Sequence, residues 1–271
     1  MSTFIDLARK RRSVRTFDGQ MPDQKLIDEL KDYASEITNP YGIKVRFEFL
    51  DADENKLSSP VLAGEKMYIT ASVKKQENAE EAYGYSFEML QMKALELGLG
   101  TAWIGGTLPR EKFEAAAKLS EDEIMPCVSP LGRPAQKMSI KETLMRKGVK
   151  AESRMKMEEL FFVRDFGMPL DRTYAVGHGL MDDLEAVRIA PSAVNKQPWR
   201  ILIEDNKAHF YEKKDKGFAT QDYDVQKVDL GIAMYHFEAQ LISEGRKPIL
   251  STREPNLIVP DQMEYIATYT F

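Results

Sequence analysis

Gly84-Tyr85-Ser86-Phe87-Glu88-Met89-Leu90-Gln91-Met92-Lys93-Ala94-Leu95-Glu96-Leu97-Gly98 has a counterpart in Gly231-Ile232-Ala233-Met234-Tyr235-His236-Phe237-Glu238-Ala239-Gln240-Leu241-Ile242-Ser243-Glu244-Gly245, with the glycines equally far apart. Tyr83, Phe87, Leu90, Ala94 and Leu97 recur at steps of three and four, as do Val225, Val228, Ile232, Tyr235, Ala239 and Ile242. That spacing predicts two helices, each with one apolar stripe facing a core. Gly98 and Gly245 suit the left-handed position that ends a helix. The chain reads as a sequence written twice.

Outward from these helices the repetition continues. YASEITNPYGIKVRFEFLD, around Ala34, reads as a worn copy of IAPSAVNKQPWRILIED around Ala190, pairing Asn39 with Asn195 and Asp51 with Asp205. Strands are expected at Val45–Leu50, Met67–Ala71, Ile124–Pro130, Ile201–Glu204, His209–Lys213 and Tyr265–Phe271, with Asp205-Asn206 as the turn between the fourth and fifth. The stretches Pro126–Leu131 and Tyr265–Phe271 make a third candidate repeat pair. The expected fold class is α+β, twice: a single unit over 1–271 with half-repeats at about 1–140 and 165–271. Between them, residues 134–166 form a charged connecting segment in which Lys, Arg and Glu dominate from Lys141 to Glu159, a run that also fits a solvated helix.

Composition narrows the function classes. The 271 residues are 43% hydrophobic and 30% charged, as in a soluble globular protein, and the net charge of -5 argues against nonspecific nucleic-acid binding. The single cysteine, Cys127, excludes an intrachain disulfide framework, and His178, His209 and His236 lack ligand spacing, so no metal site is expected. No apolar run reaches membrane-spanning length and the first ten residues lack a signal-peptide core, so the expectation is a cytoplasmic protein with no membrane and no nucleic-acid partner.

Against that background, Arg11-Arg12-Ser13-Val14-Arg15 stands out as a local anion site, because guanidinium forks bind phosphate through paired, permanently charged donors. Ala190-Pro191-Ser192-Ala193-Val194-Asn195-Lys196-Gln197-Pro198-Trp199-Arg200 has the composition of a ligand loop, with small side chains for close backbone approach and an amide at Asn195 that both donates and accepts. Gln197, Pro198 and Trp199 are expected to lock that loop onto the core. A third stretch is Gly98-Leu99-Gly100-Thr101-Ala102-Trp103-Ile104-Gly105-Gly106, and a fourth is Arg154-Met155-Lys156. No Ser/His/Asp set, partnered Cys nucleophile or P-loop supports a hydrolase or kinase.

In order and spacing these four motifs resemble the nitroreductase family, and its duplicated single-chain branch, over nearly the whole chain. The resemblance implies an FMN-dependent oxidoreductase in which hydride passes from NADH or NADPH to flavin N5 and on to a small-molecule acceptor such as a nitroaromatic or quinone. It implies that Arg11, Arg12 and Ser13 hold the phosphate and that Arg15 reaches the pyrimidine edge. Pro191, Ser192, Ala193 and Asn195 would meet the ring or ribityl chain, and Ile104, Gly105 and Gly106 would run near N5, the glycines sparing the ring a side chain. Gly105 stands where some relatives carry a glutamate. Arg154 and Lys156 match a basic pair closing the phosphate pocket, with Arg146, Lys147 and Lys150 as competitors for that register, and Trp103 fits core packing as well.

Family members are usually two-fold dimers, so the duplication implies an intrachain pseudo-dimer that is monomeric, with further oligomerisation open. The arginine–serine motif survives only in the first half and APSxxN only in the second, so one FMN per chain is expected. Two other readings remain: a flavin-binding protein of the same fold without turnover, and a structural protein that binds no flavin.

Overall fold

The computed structural model describes residues 3–271. In chain order the elements are α1 (Phe4–Ala8), α2 (Gln24–Glu36), β1 (Val45–Asp51), β2 (Met67–Lys74), α3 (Ala79–Glu96), β3 (Gly100–Thr101), α4 (Arg110–Ala116), β4 (Glu123–Ile124), β5 (Val128–Gly132) and α5 (Ile140–Gly148). They continue with α6 (Met157–Leu160), β6 (Phe161–Val163), β7 (Asp165–Pro169), α7 (Arg172–Gly177), α8 (Met181–Ile189), β8 (Trp199–Glu204), β9 (Lys207–Lys213), α9 (Val225–Ser243), β10 (Ile249–Ser251) and β11 (Met263–Thr270). The chain divides into two compact units, Lys10–Glu152 and Ser153–Phe271, the latter joined by the N-terminal segment through Arg9. These bounds differ from the expected half-repeats at about 1–140 and 165–271. The segment before Lys10 belongs to the second unit, and α5, read as part of a connection, belongs to the first.

In the Lys10–Glu152 unit, β1 and β2 form an antiparallel hairpin from Val45↔Val73 to Asp51↔Met67. On its other side β2 pairs with β5, and β5 with β3, giving the order β1-β2-β5-β3. The strand expected at Ile124–Pro130 is in fact two, β4 and β5, both pairing with β2. Pro126 lies in the break between them, where a residue without an N–H cannot continue the ladder.

The second unit repeats the plan. Here α8 leads into the hairpin β8–β9, turned at Asp205-Asn206 with Asp205 in the left-handed region (φ 51°), and then α9 leads to β10 and β11. The strand order β8-β9-β11-β10 matches β1-β2-β5-β3, with β6 and β7 added beyond β8. Both long helices end alike. Gly98 and Gly245 are left-handed (φ 76° and 82°), and the residue after each donates back across the last turn, Leu99 N to Ala94 O at 2.9 Å and Arg246 N to Leu241 O at 3.0 Å.

One expectation about these helices changes. The stripe residues of α3 are buried through Leu90 and Ala94, yet Gly84, Ser86, Glu88 and Gln91 are buried too, and α9 likewise buries Asp229, His236 and Gln240. Ile242, the last residue of the α9 stripe, is exposed rather than facing a core, and the stripe marks only part of each helix's buried surface. In the second unit α1 adds to that cover. Ile5 N donates to Gln240 Oε1 at 2.8 Å, and the Phe4 ring meets Tyr235 and His236 edge-on.

Glu212 on β9 faces Trp199 across the hairpin, is fully buried, and has no hydrogen-bond partner at either carboxylate oxygen among the described residues. Burial, reinforced by the charge of Asp224 and opposed by Lys214, pushes its pKa up from 4.5 to about 8. A carboxyl raised in the folded state contributes stability that is complete below its unfolded pKa and is lost as pH rises through the folded value. Urea unfolding measured from pH 5 to about 9 should therefore show stability falling towards the alkaline end, with the slope reduced in Glu212→Gln. An equal slope in that variant would assign the pH dependence elsewhere.

Candidate functional site

The Arg11–Phe17 segment is held in the Lys10–Glu152 unit by isolated bridges rather than by a strand. Ser13 pairs with Thr101, Thr16 with Ala63 and Phe17 with Pro134, and Val14 N donates to Thr101 O at 2.8 Å. Val14 is buried against Gly100, where an added Cβ would come within 2.7 Å of Val14 Cγ2. Two of the four motifs are thus in direct backbone contact, and the tight glycine of the second is Gly100. At Gly105 an added side chain would meet Cys127 Sγ at 3.1 Å. At Gly106 nothing lies within 4 Å of an added Cβ. Ile104 is buried and bridges Val128.

Two buried glutamates organise the arginines. Arg11 Nε lies 3.0 Å from Glu88 Oε1 but off the N–H direction, and Glu88 Oε2 accepts from Trp103 Nε1 at 2.7 Å. Glu142, on α5, accepts from Arg12 Nη1 at 3.1 Å and from Thr16 Oγ1 at 2.7 Å. Ser139 caps α5, accepting from Glu142 N at 3.1 Å, and its hydroxyl lies 3.0 Å from Thr16 Oγ1, to which it donates because the Thr16 proton is given to Glu142. Arg15 is half-buried, and desolvation lowers its pKa against the opposing pull of Glu142, with Arg11 and Arg146 lowering it further. The group therefore holds Arg11, Arg12, Arg15 and Arg146 around two buried carboxylates. Arg146 also pairs with the exposed Glu152 at 3.2 Å. Nε and Nη2 of Arg11, the paired donors of one guanidinium edge, and Nε of Arg15 are buried without a hydrogen-bond acceptor among the described residues.

The Ala190–Arg200 loop lies in the second unit. Val194, Asn195 and Gln197 are left-handed (φ 42°, 61° and 50°), a costly conformation that for a β-branched valine needs firm support. Asp229 of α9 supplies part of it, since both its carboxylate oxygens accept from Ala193 N, at 3.0 and 3.1 Å. Burial raises the pKa of Asp229 well above the ordinary value, with the Ala193 bond opposing. Gln197 N donates to Ser192 Oγ at 2.9 Å and Gln197 Oε1 accepts from Met155 N at 3.0 Å, while Pro198 and Trp199 are buried. Those three residues lock the loop. Asn195 Oδ1 accepts from Arg154 Nη1 at 3.2 Å and Asn195 Nδ2 donates to Ser153 O at 3.0 Å. Pro191, Ser192 and Ala193 remain partly accessible, and Lys156 is exposed at the start of α6.

Of the residues singled out from sequence, the fold joins Arg11, Arg12, Ser13 and Arg15 to Trp103 and Ile104 in one unit, and Arg154 to Asn195 in the other. The sequence does not single out Glu88, Glu142, Thr16 or Asp229, and Arg146 enters there only as a competitor for the register of Arg154. The signals were faint: an acid inside the Phe87–Leu90 apolar run, and Ser139-x-x-Glu142, which reads as an exposed helix cap.

Two α+β units built on one plan define a nitroreductase-like fold. The family model described as "Putative TM nitroreductase" matches residues 4–241, and the chain belongs to this family. A "putative nitroreductase" from Thermotoga maritima is similar over 99% of this chain and 94% of its own, at 18% identity and a TM-score of 0.62. An FMN-dependent nitroreductase from Clostridium difficile R20291 covers 50% of this chain and 90% of its own, at 18% identity and a TM-score of 0.43. A nitroreductase family protein from Clostridium novyi NT covers 51% and 90%, at 19% identity and a TM-score of 0.43. No curated protein matches the chain.

Because a methyl group at residue 100 would strike the body of Val14 while one at residue 106 meets open space, Gly100→Ala should destabilise the protein by about 1–3 kcal/mol in urea. Gly106→Ala should be near neutral. Equal effects would show that the packing of Val14 on Gly100 does not anchor the arginine segment.

Proposed function

We propose that this chain is an FMN-dependent oxidoreductase that takes hydride from NADH or NADPH and delivers electrons to a small acceptor such as a nitroaromatic or quinone. The observation that carries the reading is the arginine group. Arg11 presents a buried pair of donors without acceptors among the described residues, and the four guanidiniums exceed the three carboxylates near them, Glu88 at Arg11, Glu142 at Arg12 and the exposed Glu152 at Arg146. That surplus fits a phosphate monoester dianion, which accepts paired hydrogen bonds from a guanidinium edge. FMN, when bound, supplies the two-electron chemistry at its N5 atom.

The protein's own residues bind and orient. With FMN bound, Arg11, Arg12 and Ser13 would hold the phosphate, and Arg15 would place a positive charge at the pyrimidine edge, which would favour the reduced flavin. The backbone at Ile104, Gly105 and Gly106 would lie near N5. Pro191, Ser192, Ala193 and Asn195 would meet the ring or ribityl chain, and Arg154 and Lys156 would add charge at the phosphate. Asn195 is already bonded to Arg154 and sits in a loop held by Asp229, so it offers hydrogen bonds from a fixed position.

Titrating the apoprotein with FMN should reach a one-to-one end point, because the chain has one arginine–serine motif and one APSxxN motif. Mixing the yellow complex with NADH or NADPH under anaerobic conditions should bleach the flavin, and an acceptor should restore the colour. A coloured protein that neither nucleotide bleaches would leave the same fold as a flavin binder without turnover, and a colourless one would defeat the reading.

Replacing Arg15 by alanine tests the electrostatic role. The reduction potential of the bound flavin should drop, while FMN affinity falls less than in Arg11→Ala, where a charged hydrogen bond worth about 1.5–3 kcal/mol is lost. A wild-type potential in an Arg15→Ala protein that still holds FMN would remove Arg15 from the ring edge.

A further inference from the structure

Glu88 is a fully buried carboxylate on α3 that reaches two of the motifs at once. Its Oε1 stands 3.0 Å from Arg11 Nε and its Oε2 accepts from the Trp103 indole at 2.7 Å. Arg11 is itself only 8% exposed at its side chain, so its charge is largely removed from water and depends on a nearby counter-charge. Yet Oε1 lies off the Nε–H direction, so the Nε/Nη2 edge is left without an acceptor among the described residues. The carboxylate neutralises Arg11 without using the donors that a bidentate oxyanion would take. The Trp103 bond holds that carboxylate from the other side, and the indole packs against Phe87 with ring centroids 5.0 Å apart, next to Glu88 in α3.

We propose that Glu88 is the positioning residue of the phosphate site: it fixes the Arg11 guanidinium with its paired donor edge available for the flavin phosphate, and ties that orientation to Trp103. The inference rests on the FMN-binding reading and goes beyond it by assigning phosphate selectivity to a side chain that touches no ligand. Losing Glu88 should leave Arg11 free to swing and its charge without a counter-charge, so recognition of the phosphate should suffer while recognition of the ring does not.

FMN and riboflavin differ only in the phosphate, so the ratio of their affinities, read from quenching of flavin fluorescence, isolates this effect. In Glu88→Gln the preference for FMN should fall by about tenfold or more, the worth of a charge-assisted hydrogen bond, with riboflavin affinity held within about twofold. Trp103→Phe, which keeps an aromatic ring but deletes the indole donor, should lower the same ratio by about threefold or more, and it serves as the test if Glu88→Gln does not fold. A wild-type ratio in a folded variant, or equal weakening of both flavins, would overturn the role of Glu88 while leaving the functional reading intact. A wild-type protein that binds neither flavin would instead defeat the functional reading itself.

Discussion

Burying a guanidinium costs several kcal/mol unless an anion accompanies it, and that requirement organises the Arg11–Thr16 segment of the Lys10–Glu152 unit. Glu88 and Glu142 are withdrawn from water almost completely, one on each of two helices, and each joins an arginine of the N-terminal motif to a second group. Through Glu88 the motif is tied to α3 and to Trp103. Through Glu142, Thr16 and Ser139 it is tied to α5, whose apolar residues Ile140 and Leu144 face solvent and cannot dock it. The helix that looks least attached by hydrophobic criteria is anchored by its polar side.

The two units share a plan but not an equipment list. Asn39 and Asn195 occupy corresponding loops before corresponding hairpins, and both bond to neighbouring backbone. Asn39 spends its amide within its own loop and on Ser86, accepting from Tyr41 N and Ile43 N and donating to Ile43 O. Asn195 stands in a left-handed conformation, with its carbonyl oxygen turned to Arg154. A repeated backbone thus carries one copy that is a turn and another that holds strained residues in place, and strain of that kind persists where surrounding bonds over-determine it.

Much of the architecture was legible because it follows from periodicity and from glycine. The two long helices, their left-handed closures at Gly98 and Gly245, and both hairpins fall where three- and four-residue steps and alternating strands put them. The break at Pro126 and the burial of polar residues such as Glu88, Gln91, Asp229 and Gln240 on α3 and α9 were not legible, since the first depends on which N–H the ladder needs and the second on what surrounds a helix. The arginines announced themselves by density, but their partners did not. A lone glutamate such as Glu88 looks the same in sequence whether it meets water or a buried guanidinium, and only the fold decides. Asp229 escaped for the same reason: its carboxylate is accounted for by one backbone N–H, at Ala193, far away in sequence.

The membership of α1 in the second unit gives the order of synthesis a physical meaning. The bond from Ile5 to Gln240 spans 235 residues, so when Phe4–Ala8 leave the ribosome nothing they pack against exists yet. The Lys10–Glu152 unit contains its own hairpin and central helix and can consolidate while the second is still being made. Throughout that interval Ile5 and Ala8, buried in the finished protein, are exposed. The nascent chain therefore carries a short apolar segment whose docking has to await the synthesis of α8 and α9, the helices it packs against.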